Sequence, residues 1–482
     1  MLSLKKTLEN GFLYSLSNVL LRATSIIFFP IFSSYLTKSD YGILSLSQTI
    51  LTFTLIFSGL ELGRAVTRFT FQKNESKLSE DSLISNTLFI SFISNLILLP
   101  PFLIWGDSLL SSVLSDIRFY PFIFWTLVSI PFTTVIDVYR VYLKAKHEGR
   151  KAFILEMGYF GCNIFLNLLL VAVFDLHVLG IIISTVLSNV IFILILWYTF
   201  YRHISYDLNI NSVKVLLEYS IPLIPFAILN SSLNMTDKLF LNSKLGSASS
   251  GLYYIAITFA SIFSVIKEAI SNALTPWMFE AFSKKPSVVI RDVIVAVFLS
   301  TGFLAIIVSW YCREALMLLS SNPSFVDAFK HIPILISGLY IIFLGQLFNI
   351  KTLYYGKYSR YLFISSFVGI VANLLCCYLF IDYLNMEVRG AALARFVSFL
   401  MLVVTACYLS RLEKEKNEIY DLKLLVLIGG SICVIIVLPS IIPLNFWLML
   451  SLKIPLTFML AGVNLWYLNK KFDALKMLKS WI

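Results

Sequence analysis

The sequence predicts an all-α polytopic membrane protein of about fourteen transmembrane helices, and three observations predict it. The first is composition: 58% of the 482 residues are hydrophobic and 13% charged, with mean hydropathy +0.85, against roughly 25% charged in a water-soluble domain. The second is that nearly uncharged apolar runs recur along the whole chain, each about the 17–25 residues a helix needs to cross a bilayer. The third is that basic residues collect in alternate gaps between those runs.

Taken in order, the first run, 11–35, follows Lys5 and Lys6 and carries Asn18 and Arg22 with no small-residue cleavage site. It reads as a retained span, not a signal peptide. Polar breaks then separate runs at 42–63, 83–105, 119–140, 152–174, 178–200 and 215–237. A further seven follow at 251–273, 289–311, 331–350, 361–381, 390–410, 423–440 and 445–468. With the amino terminus inside, 27 Lys and Arg fall in inside segments, in clusters such as Arg64/Arg68/Lys73/Lys77 and Arg140/Lys144/Lys146/Arg150/Lys151. Only 8 fall outside: Lys38, Arg118, Lys238, Lys244, Arg313, Lys330, Arg389 and Lys453. Positive charge retained on the inner face puts both termini in the cytoplasm.

The net charge of +11 is dealt out in these small clusters instead of one stripe, which argues against a nucleic-acid partner. The six cysteines lie in or beside apolar runs without C-x-x-C spacing, and His147, His177, His203 and His331 are scattered, so neither a metal site nor a redox centre is expected. No G-x-x-x-x-G-K-[ST] loop is present for a nucleotide, no cofactor is implied, and no catalytic constellation appears. Connections of about twenty residues at most leave no room for an extramembrane catalytic module.

The chain also repeats itself. Ser34–Gly42 (SYLTKSDYG) and Ser243–Gly251 (SKLGSASSG) each join two apolar runs, about 209 residues apart. Asn167 through Asp175 to Gly180 is echoed by Asn373 through Asp382 to Gly390, 206–210 residues on. A shared offset suggests two parallel bundles, as in many transporters. The expected organisation is a six-helix bundle over 1–210, a second over 211–412, and two additional helices with a cytoplasmic tail over 413–482.

Four segments then carry a resemblance: Ser34–Ser45 (SYLTKSDYGILS), Ile221–Pro225 (IPLIP), Thr236–Ala256 (TDKLFLNSKLGSASSGLYYIA) and Gly390–Leu393 (GAAL) after the Asn373-headed span. The sequence resembles the multidrug/oligosaccharidyl-lipid/polysaccharide (MOP) transporter superfamily, and within it the O-antigen and capsule repeat-unit flippases. What the resemblance implies is a MATE-like, V-shaped pair of bundles around a cationic cavity in the bacterial inner membrane. Its implied cargo is an undecaprenyl-diphosphate-linked oligosaccharide, moved from the cytoplasmic to the periplasmic leaflet by alternating access. Membrane lipids, a polysaccharide polymerase and a chain-length regulator are the implied partners. Span 11 departs from the pattern, having no charge beyond Asp382 at its edge.

Ionisable residues inside spans cost about 2.5–3.5 kcal/mol each, so those that persist generally face a cavity or a partner. Arg22, Lys267 and Arg395 fall within runs and Arg64 closes the second. At about 1.5 Å per residue they stand at staggered depths, a ladder suited to a diphosphate because guanidinium pairs with phosphate oxygens and lysine offers a mobile charge. The alternative for each is a buried ion pair or a side chain snorkelling to headgroups, most readily for Arg64. Glu61, Asp137, Asp237 and Glu268 are candidate counter-charges or coupling sites, although Asp237 beside Lys238 also reads as an interfacial pair. Pro222 and Pro225, early in the seventh run, and Pro30 in the first remove backbone donors and are candidate hinges. Two rivals remain: a multidrug exporter of the same architecture, which an acidic cavity would favour, and a membrane glycosyltransferase or polymerase, which needs a large outside loop or a carboxylate-rich site.

Overall fold

The computed structural model describes residues 17, 20, 25–71, 80–200, 210–284, 287–356, 358, 361–412, 419–441 and 446–472, and Arg22 lies outside them. By internal contacts the chain forms two compact units, Met1–Tyr254 and Ile255–Ile482.

The first unit begins with α1 (Phe29–Tyr35) and α2 (Lys38–Gly59). The Thr37 side chain caps the backbone of Asp40 while the Asp40 carboxylate returns to Thr37, a reciprocal box that fixes where α2 starts. After α3 (Leu62–Phe71) come α4 (Glu80–Leu114) and α5 (Phe124–Ala145), the latter entered through a π turn at Phe119–Ile123. The unit continues through α6 (Gly149–Leu168), a π turn at Leu169–Val173, and α7 (His177–Phe200). Next are α8 (Ile210–Ser220) and α9 (Ile224–Ser232), separated by one 3₁₀ turn at Ile221–Leu223. Pro222 and Pro225 supply that break, since each removes a backbone donor. Pro30 stands at the start of α1, just after a bend at Phe28. Helix α10 (Thr236–Lys284) is interrupted at Gly246, whose φ of 77° only glycine adopts freely.

The second unit holds α11 (Ser287–Trp310), α12 (Cys312–Leu319), a 3₁₀ segment at Pro323–Lys330, and α13 (Ile332–Tyr355). Then come α14 (Leu362–Cys377), a π turn at Tyr378–Tyr383, α15 (Glu387–Leu412), α16 (Leu422–Ile441) and α17 (Phe446–Phe472). Helix α15 packs along α13 and α14, and the last two helices pack on α11.

Among the described residues, eleven helices are long and apolar enough to cross a membrane, and Leu422–Leu438 is a shorter apolar stretch. The expected runs from 42–63 to 390–410 each coincide with one of the eleven. The run at 445–468 falls on α17, while part of 11–35 lies outside the described residues. Lipid gives helices no hydrophobic reason to associate, so close packing and buried polar contacts must hold them. Phe298 stacks on Tyr340 at 4.6 Å, and the Tyr340 hydroxyl donates to the Phe298 carbonyl at 3.1 Å.

The repeat read from sequence recurs in the backbone. The π turns begin at Leu169 and Tyr378. Each is followed by a turn with two left-handed residues, Asp175 and His177 in one copy and Asn385 and Glu387 in the other. Gly180 and Gly390 then pack against the π turns, at Leu170 and Phe380. The hydrogen bonds match too: Leu176 N–H to Leu170 O and Met386 N–H to Phe380 O.

Candidate functional site

One end of the first unit gathers charges into a crevice of about 340 Å³. Helix α2 stops at Gly59 because Leu60 and Glu61 both adopt the left-handed conformation, with φ 46° and 54°. The chain then restarts as α3, which presents Arg64 and Thr67 to the crevice beside Glu61 of the turn before it. Facing them, α5 contributes Thr134, Asp137, Val138 and Val141 at helical spacing. Gly63 faces Val141 of α5, where an added Cβ would make an ordinary contact at 3.4 Å. Glu61 Oε2 pairs with Arg64 Nε at 2.7 Å, and the Arg64 guanidinium lies 5.4 Å from the Phe226 ring centre. Asp137 Oδ1 pairs with Arg140 at 3.0 Å.

Behind the crevice the polar contacts run on through α6 and α7. Arg140 stacks on Tyr159 at 4.8 Å, the Tyr159 hydroxyl donates to Asn189 Oδ1 at 2.9 Å, and Asn189 donates to Thr133. Lys144 pairs at 2.8 Å with Glu156, which is buried. Sequence reasoning counts Arg140 and Lys144 only as loop charges and passes over Glu156, although Glu156 lies inside the run 152–174.

At the opposite end of α2, its first turn crosses the start of the long part of α10. A Cβ on Gly42 would overlap the Ser247 carbonyl, and one on Gly251 would overlap the Lys38 carbonyl. The residues are related pairwise by the repeat offset, so the crossing is locally two-fold. Asp116 accepts from the Ser247 backbone at 2.9 Å and from its hydroxyl, while Asn242 donates to Val113 O at 2.7 Å. Asp237 is fully buried and accepts from the Tyr253 hydroxyl and the Lys238 N–H.

In the second unit Lys267 on α10 and Arg395 on α15 are both buried, 6% and 7% exposed. Glu268, the next residue on α10, is half-buried. Two more buried cations accompany them. Lys351 on α13 donates to Ser410 O at 3.1 Å, and Lys453 on α17 pairs with Glu314 at 2.7 Å and also donates to Trp310 O. The charge tally puts Lys453 in an outside loop; instead it sits within α17, turned onto α12. Arg64 also differs from expectation: it does not close a span but lies on α3 beyond a break, 47% exposed and paired. His331, at the start of α13, is buried.

The architecture defines the class of protein. Over 81% of this chain and 94% of the other, it matches the inward-facing conformation of a multidrug resistance MATE family transporter of the MOP superfamily, with a TM-score of 0.64 and 15% identity. A mutant of the Vibrio cholerae MATE transporter VcmN matches over 86% of this chain and 98% of its own, with a TM-score of 0.60 and 15% identity. A Pyrococcus furiosus MOP superfamily transporter, described as having a binding pocket of reversed polarity that suggests a different function, matches over 84% and 95%, with a TM-score of 0.56 and 15% identity. The fold is thus that of MATE transporters of the MOP superfamily, in a multi-pass membrane protein. Residues 7–282 match the family described as polysaccharide biosynthesis protein, and the chain belongs to that family. It is also 23% identical over 374 residues, 73% of this chain and 86% of the other, to the Lsg locus putative protein 1 of Haemophilus influenzae.

Proposed function

We propose that this protein is a flippase of the bacterial inner membrane that carries undecaprenyl-diphosphate-linked oligosaccharide units from the cytoplasmic to the periplasmic leaflet, with both termini in the cytoplasm. The observation that carries the reading is the charge of the buried side chains in the second unit. Among the described residues they are four cations, Lys267, Lys351, Arg395 and Lys453, and one carboxylate, Glu314. A pocket for cationic drugs needs the reverse bias, whereas a diphosphate needs this one. Membership of a polysaccharide biosynthesis family supports the saccharide cargo, and the transporter fold supports movement over catalysis.

In this reading Arg22, Arg64, Lys267 and Arg395 hold the headgroup in turn. Glu61, Asp137, Asp237 and Glu268 offset cations when no substrate is present. The helix breaks at Pro30 and at Pro222 and Pro225 let the flanking segments swing during alternating access. A diphosphate diester with about two negative charges, leaving a negative interior, gains roughly 2.3 kcal/mol per charge per 100 mV. Membrane potential then supplies a drive without a nucleotide. A polymerase and a chain-length regulator act downstream on the delivered unit.

The test uses cells in which this chain is the sole flippase. Lys267→Ala and Arg395→Ala, with protein inserted at normal levels, should each cut surface polymer at least tenfold and strand the lipid-linked unit on the inner leaflet. Normal polymer from both variants sinks the proposal. High-affinity binding of an organic cation in place of the lipid-linked sugar favours the exporter.

A further inference from the structure

We propose that the crevice between α3 and α5 is a binding site for the sugar of the cargo, taking neutral hydroxyl groups instead of phosphate. The inference rests on the flippase reading; it moves Arg64 from the diphosphate to the sugar and gives Glu61 and Asp137 a direct role in place of a balancing one.

Charge decides against phosphate here. Each guanidinium already faces a carboxylate, Arg64 with Glu61 at 2.7 Å and Arg140 with Asp137 at 3.0 Å, so the crevice has no surplus positive charge for an anion. A metal ion is disfavoured as well, because among the described residues no three His, Cys, Asp or Glu side chains gather. What the pairs leave over is hydrogen-bonding capacity. The arginines engage Oε2 of Glu61 and Oδ1 of Asp137, leaving Oε1 and Oδ2 without a hydrogen bond among the described residues. Such oxygens are strong acceptors for hydroxyl donors, and the remaining guanidinium N–H groups donate to hydroxyl oxygens. The walls alternate these groups with apolar surface from Leu55, Val138 and Val141, which suits the C–H faces of a sugar ring. At about 340 Å³ the space falls in the range of small-ligand sites.

Two features of the backbone mark the site as built. Leu60 and Glu61 are consecutive non-glycine residues held in the left-handed region, a strain of order 1–3 kcal/mol each that persists only where the surroundings impose it. The strain is also confined to one copy of the repeat. The corresponding stretch of α10 runs on as unbroken helix, with Ile270 and Ala273 where the first copy has Glu61 and Arg64. Packing two similar bundles therefore does not require the break; the first copy alone has it, and it sets Glu61 and Arg64 opposite Asp137. The crevice lies toward the end of α5 that leads into the α5–α6 turn, and the charge rule assigns that turn, with Lys144, Lys146, Arg150 and Lys151, to the cytoplasm. Cargo arriving from that leaflet meets it first.

Binding to purified protein in nanodiscs tests the assignment, with two probes: the lipid-linked repeat unit extracted from polymerase-deficient cells, and undecaprenyl diphosphate bearing no sugar. Glu61→Gln and Asp137→Asn should each weaken the sugar-bearing probe about tenfold, the worth of one or two hydrogen bonds to a charged group, and leave the sugar-free lipid within twofold. Thr67→Ala, which disturbs neither ion pair, should weaken only the sugar-bearing probe and carries the test if the carboxylate variants fail to fold. Equal weakening of both probes, or no change in either, overturns the sugar site while leaving the flippase reading intact. Wild-type protein that binds neither probe overturns both.

Discussion

Lys453 and Glu314 show how a single charge is tolerated in an apolar setting. Both are nearly inaccessible, at 5% and 11% side-chain exposure, and their 2.7 Å contact is supplemented by a bond from Lys453 to the Trp310 carbonyl. Removing water from either ion costs several kcal/mol, which only the partner offsets. Lys453→Met should therefore lower stability by about 3–5 kcal/mol, read as a fall in melting temperature in detergent, and adding Glu314→Leu should restore most of it. If the double variant melts as low as the single one, the pair is not what tethers α17. Sequence alone flags Lys267 and Arg395, since a cation in an apolar run stands out. It assigns Lys453 to a loop although its own run encloses it, because a charge tally does not show which way a side chain turns. Arg64 stands out in the sequence as a charge of interest, but its carboxylate partner at Glu61 becomes visible only once the backbone break between them and α2 is in place.

The crossing of α2 and α10 is an element-scale feature, set by the absence of side chains. Gly42 and Gly251 allow each backbone to touch the other helix, the small-residue packing that replaces hydrophobic association in lipid. Gly42→Ala and Gly251→Ala should each destabilise the protein by about 1–3 kcal/mol through overpacking. Gly161→Ala on α6, with no atom within 4 Å of the added carbon, should be neutral or slightly stabilising. Thermal melts of the three variants check this, and equal effects at all three would remove the crossing from the account. The SYLTKSDYG and SKLGSASSG segments are legible as a repeat, and their glycines as permissive positions. That they touch each other is a tertiary fact, because an offset of about 209 residues gives no distance in space. The π turns are likewise invisible in the sequence, since Leu169–Val173 and Tyr378–Tyr383 share apolar character without a signature that distinguishes a π from an α turn.

For the molecule as a whole, the distribution of Lys and Arg predicts orientation. In a cysteine-free background, Arg150→Cys in the α6 entry should react with a membrane-impermeant maleimide only after the membrane is opened, and Asn322→Cys in the α12–α13 connection should react in intact spheroplasts. The reverse pattern would invert the topology and the direction of transport with it. The sequence by itself determined that the chain lives in lipid, which apolar runs become its helices, and that it repeats, although α4 and α10 extend well past the runs at 83–105 and 251–273. These follow from hydropathy and helical rise, which are local and additive along the chain. Only the tertiary structure decided which charges are neutralised, because pairing depends on ångström-scale approach between helices distant in sequence. It alone made a polar crevice of Glu61, Arg64 and Asp137, since the left-handed turn at Leu60 and Glu61 sets α3 against α5.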